Sequence, residues 1–123
     1  MKRRSWLIIV AVIISMLVAC EEPDTTAPTV TVTYPAHATS VSEVVNVTCM
    51  ATDNEGVENV ELWVDGVFTG LTDHTEPYSF AWNTTQYVDG SAHVVTARAY
   101  DVNDNKGDSD PVTITIDQTD AYP

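Results

Sequence analysis

Two short stretches of this chain concentrate oxygen-bearing side chains: Asp53-Asn54-Glu55 and Asp101-Val102-Asn103-Asp104-Asn105. Hard cations such as calcium are bound by carboxylates, amide oxygens and main-chain carbonyls, about six to eight at a time. Asp53, Glu55, Asp101, Asn103, Asp104 and Asn105 are therefore a candidate calcium set, with Asp24 and Asp73 as candidate neighbours. The second stretch begins like an EF-hand loop. It puts Lys106 where that loop needs glycine and Val112 where it needs its bidentate acid, so that geometry is excluded. Asp and Asn also satisfy turn backbone by themselves, without an ion.

Trp63 is a candidate for a different contact. In Asn59-Val60-Glu61-Leu62-Trp63-Val64 it shares parity with Glu61, while Val60, Leu62 and Val64 share the other. An outward indole is a flat surface that can stack on a sugar ring, which makes glycan binding a candidate property; Trp82, in step with Tyr78 and Phe80, belongs to the core. Catalytic chemistry has less to work with. His37, His74 and His93 are not at metal-ligand spacing, and no serine occupies a strand-turn-helix elbow, so no enzyme and no required cofactor are expected. Cys49 alternates in step with Val45, Val47 and Ala51 and reads as a small buried hydrophobe, not as half of a disulfide.

The elements that must position these residues begin after residue 19. Met1-Lys2-Arg3-Arg4 and the apolar run from Trp6 to Ala19 have the layout of a secretory signal. The run is shorter than the roughly 20 residues a bilayer span needs. Without residues 1–19 the positive side chains are Arg98 and Lys106 against 18 acids, a formal charge of −16. Such a field opposes nucleic acid, because a polyanion would be repelled. Glu21 to Pro28 holds two prolines and three acids with nothing to bury, which reads as a tether of roughly 20 to 25 Å when extended.

From Thr29 onward the pattern has period two. Thr29–Tyr34, Val44–Ala51, Asn59–Val64, Val67–Thr69, Tyr78–Trp82, His93–Tyr100 and Pro111–Asp117 read as strands, with Asp53-Asn54-Glu55-Gly56, Asp65-Gly66 and Asp89-Gly90 as turns. About seven short strands in one small domain predict an all-β, immunoglobulin-like antiparallel β-sandwich. The expected organisation is a signal peptide over 1–19, a cysteine and flexible tether over 20–28, the sandwich over 29–117 and a tail over 118–123.

Pro28-Thr29-Val30, Ala51-Thr52-Asp53-Asn54-Glu55-Gly56-Val57, Val64-Asp65-Gly66, Pro77-Tyr78-Ser79-Phe80-Ala81-Trp82-Asn83-Thr84 and Ala97-Arg98-Ala99-Tyr100-Asp101 resemble the bacterial immunoglobulin-like domains of secreted and cell-surface proteins. The resemblance spans about residues 28–117. It implies a spacer, an adhesion module or an accessory to a larger extracellular enzyme, hence a non-catalytic module whose partner is an envelope or extracellular protein. A calcium-dependent adhesion module and a carbohydrate-binding accessory lipoprotein are the alternatives.

Leu17-Val18-Ala19-Cys20 resembles the lipobox of bacterial lipoproteins. That resemblance implies cleavage before Cys20, a diacylglycerol on its sulfur and an acylated amino end. The protein would then be exported and held on a bacterial membrane, at the outer membrane or cell surface, with Cys20 as its lipidation site.

Overall fold

The computed structural model describes residues 22–118; the leader, Cys20 and the last five residues lie outside them. Among the described residues every regular element is a strand: β1 (Thr29–Tyr34), β2 (Thr39–Val41), β3 (Val44–Thr52), β4 (Val57–Val64), β5 (Val67–Asp73), β6 (Tyr78–Asn83), β7 (Ala92–Asp101), β8 (Lys106–Asp108) and β9 (Val112–Ile116). All seven expected strands are present. The two additions, β2 and β8, have three residues each.

Two sheets form the sandwich, one in the order β1-β3-β6 and the other in the order β2-β9-β7-β4-β5, with β8 paired to β7. Their inner faces follow directly from alternation. Val45, Val47, Cys49 and Ala51 of β3 meet Tyr78, Phe80 and Trp82 of β6 on one side. Val60, Leu62 and Val64 of β4 lie beside Val95, Ala97 and Ala99 of β7 and Ile114 and Ile116 of β9 on the other. Removing these side chains from water is the main force holding the layers together. Cys49 is buried among them, and burial pushes its thiol up to about 11, so it packs as a neutral small side chain.

The β4–β5 hairpin turns on Asp65 and Gly66, both with positive φ (54° and 77°), as a tight two-residue turn with the right twist requires. The sandwich has two poles. At one lie the start of β1, the end of β3, the start of β4 and the end of β7; at the other lie the β4–β5 turn, the β6–β7 connection and the end of β9. With strands of up to ten residues the poles are roughly 30 Å apart.

Candidate functional site

The inward parity of β7 runs Val95, Ala97, Ala99 and then Asp101, so the strand carries a carboxylate into the rim of the core. Asp101 is 1% exposed. A buried charge must be hydrogen-bonded, and the turn after β7 does this: the main-chain N–H groups of Asn103 (2.8 Å) and Asn105 (2.9 Å) donate to Oδ1, and the Asn105 amide donates to Oδ2 (2.9 Å). Burial pushes this carboxyl up, but the bonds from Asn105 and Asn103 outweigh it and hold it below the usual carboxylate range. Asp101 is thus an ionised oxygen donor fixed in place.

Asp53 stands just past β3 and is half-buried. Its Oδ2 accepts from the main-chain N–H groups of Glu55 (2.9 Å) and Gly56 (3.2 Å), which closes the turn into β4. Its Oδ1 is buried with no hydrogen-bond partner. Asp24 arrives from the segment before β1. Asn54 donates to its Oδ1 (3.2 Å), and the Asn105 amide donates to its carbonyl oxygen (2.9 Å). Within the segment read as a tether, Asp24 is thus bonded to the two loops and Pro28 is buried. One carboxylate oxygen each from Asp24, Asp53 and Asp101 lies within 4.8 Å of the others. Oxygens in one calcium shell, each about 2.4 Å from the ion, are no farther apart than that.

The other residues of the expected set serve differently. Glu55 and Asp104 are exposed and stand outside this trio; Asn103 contributes its main chain, and Asn105 spends its amide on Asp101 and Asp24. Asp73 accepts from Thr75 N (3.1 Å) and Ser79 N (3.0 Å), fastening the β5–β6 connection. Asp24 was legible in the sequence as a neighbour, but its place at the centre of the trio comes from Asn54 and Asn105 reaching to it.

Trp63 faces outward and is half-buried. The Arg98 guanidinium lies 4.3 Å from its ring centroid, Phe68 packs at 5.8 Å, and its Nε1 donates to Glu61 (3.1 Å). Arg98 is itself held by Asp108 through two bonds of 2.7 and 3.2 Å, which raise the guanidinium and lower the carboxylate. His37 accepts from Thr113 N at 3.1 Å, and His74 is exposed.

The family described as bacterial Ig domain matches residues 28–97. The chain belongs to this family. The match ends inside β7, and β8 and β9 complete the bacterial Ig domain's second sheet. Among solved structures, the fibronectin(III)-like modules of CbhA from Clostridium thermocellum are 31% identical with a TM-score of 0.57, over 73% of this chain and 45% of that one. An endo-β-1,4-mannanase from Thermotoga petrophila gives 17% identity and a TM-score of 0.57, over 76% of this chain and 20% of that one, a likeness of fold. The chain thus spans less than half the length of either. No curated protein matches it. Bacterial Ig domains and fibronectin(III)-like domains are typically non-catalytic and usually extracellular or at the cell surface.

Proposed function

We propose that this protein is a non-catalytic bacterial Ig domain, lipid-anchored through Cys20 to a membrane of the bacterial envelope, which presents its surface to an envelope or extracellular protein in interaction or adhesion. The observation that carries the reading is the docking of the segment after Cys20: Asp24 is bonded to Asn54 and Asn105, and Pro28 is buried at the same pole. An anchor only four residues before Asp24 would keep that acidic pole toward the lipid and leave the opposite pole, roughly 30 Å away, for partners. Two or three acyl chains would make the attachment durable, since one alone is marginal. Replacing Cys20 by serine moves the protein from the membrane fraction to the soluble one; a Cys20→Ser protein that stays with membranes overturns the anchor.

A second reading, calcium-dependent adhesion, is favoured by the orphaned Oδ1 of Asp53 beside two further carboxylates. Asp24, Asp53 and Asp101 would hold the ion. It would neutralise their mutual repulsion and lock the tether to the domain at the membrane-facing pole. Glycan binding at Trp63 draws less support, because Arg98 lies over the ring.

A further inference from the structure

At the pole away from the tether, Asp65, His93 and Ser91 stand in line. His93 Nδ1 is 2.6 Å from Asp65 Oδ2, and Nε2 is 2.8 Å from Ser91 Oγ. This is the spacing of a Ser-His-Asp relay, in which the serine hydroxyl gives its proton to the imidazole. A fourth group decides otherwise: Ser91 Oγ is 2.5 Å from the main-chain carbonyl of Val88, which has no proton to give.

A hydroxyl carries one proton. Were it given to His93, the Val88 carbonyl and Ser91 Oγ would face each other lone pair to lone pair at the shortest contact of the series. With the proton on the Val88 side, Nε2 must donate to Oγ. Asp65 is an acceptor as well: burial pushes its carboxyl up, but bonds from His93 and the Val94 N–H (2.9 Å to Oδ1) hold it below the usual range. Nδ1 must then donate too. The contacts are all satisfied only when both ring nitrogens carry protons, and Ser91 is held as an acceptor, the reverse of a nucleophile.

We propose that His93 is a proton-operated clasp: doubly protonated, it ties the β4–β5 turn, through Asp65, to the β6–β7 connection, through Ser91 and Val88, and on losing a proton it releases one of those ties. The connection it fastens also carries the end of the last strand, because Gly90 N donates to Ile116 O (2.7 Å) and Ile116 N donates to Ser91 O (2.8 Å). The ring itself is 14% exposed and packs on Tyr87 at 4.3 Å between centroids. The acids of the elements gathered here are Asp65 on the turn, Asp89 on the connection, where it accepts from Gln118 N, and Asp117 just past β9. The clasp makes the order of this pole depend on pH, with tighter loops on the acid side. It does not depend on lipid anchoring or on calcium.

The test follows the His93 ring nitrogens by 15N NMR, together with amide exchange of the full chain, from about pH 5 to about pH 9. Both nitrogens are expected to be protonated at the acid end. Loss of one proton should raise local opening at Gly90 and Ser91 by about tenfold beyond the intrinsic effect of base, the scale of one charge-assisted hydrogen bond. The His93→Gln protein should lack this step, and the wild-type titration decides the matter if that variant fails to fold. A ring that stays neutral throughout, a ring titration that leaves Gly90 and Ser91 unchanged, or covalent labelling of Ser91 by a fluorophosphonate would each overturn the clasp.

Discussion

Gly107 lies so close beneath Pro28 that a β-carbon on it would run into the Pro28 carbonyl oxygen. Pro28 is the last residue before β1, and Gly107 is the middle of β8, the short strand after the acidic turn. This contact and the bonds from Asn54 and Asn105 to Asp24 are what seat the incoming segment on the domain. Gly107→Ala should therefore displace that segment and cost about 1–3 kcal/mol, the range for overpacking a fitted contact. The readout is thermal unfolding, in which about 1 kcal/mol lowers the midpoint by about 4–8 °C in a domain of this size. An unchanged midpoint would mean that the segment is not seated there.

On the calcium-dependent reading, an ion held by Asp24, Asp53 and Asp101 would act as a specific stabiliser. A ligand at a hundredfold its dissociation constant adds about 2.7 kcal/mol to the folded state. Millimolar calcium, compared with chelator, should raise the unfolding midpoint by several degrees, and magnesium should not. Asp53→Asn or Asp101→Asn should abolish the rise, whereas Glu55→Gln, in an exposed side chain outside the trio, should keep it. A rise that survives Asp101→Asn would place any calcium elsewhere.

Acid should unfold the domain through its tied carboxylates. Asp65, Asp101 and Asp108 are all held below the ordinary value of 3.8 in the folded chain. Groups lowered in this way contribute stability that is fully present above that ordinary value and is lost as pH falls through their folded values. The unfolding midpoint should thus decline as pH falls below about 4. Asp101→Asn should start lower at neutral pH and decline less. A midpoint that rises on acidification past that point would contradict these bonds.

Period-two alternation made the main strands readable because each of those strands buries one face and wets the other. Val60, Leu62 and Val64 face inward as expected, as do Tyr78, Phe80 and Trp82. β2 and β8 were not readable, since three residues are too few for a period. Thr39–Val41 becomes a strand only by pairing in parallel with Ile114, Thr115 and Ile116 of β9, residues brought from the far end of the chain. Lys106-Gly107-Asp108 sits inside a run that reads as a loop because its strand character comes from pairing with Arg98, Ala99 and Tyr100. At the acidic pole the residue types were legible and the roles were not. Asp101 faces inward because it continues the parity of β7, while Asp104, three residues later, has positive φ (66°) and is exposed. The link from Asp65 to His93 spans 28 residues and has no motif at all.

Intact-mass analysis of the protein recovered from the membrane fraction tests the anchored-module reading most directly. The account predicts a chain that starts at Cys20 and carries the added mass of two or three acyl chains. An unmodified chain, whether it still starts at Met1 or is cut at another position, would contradict it.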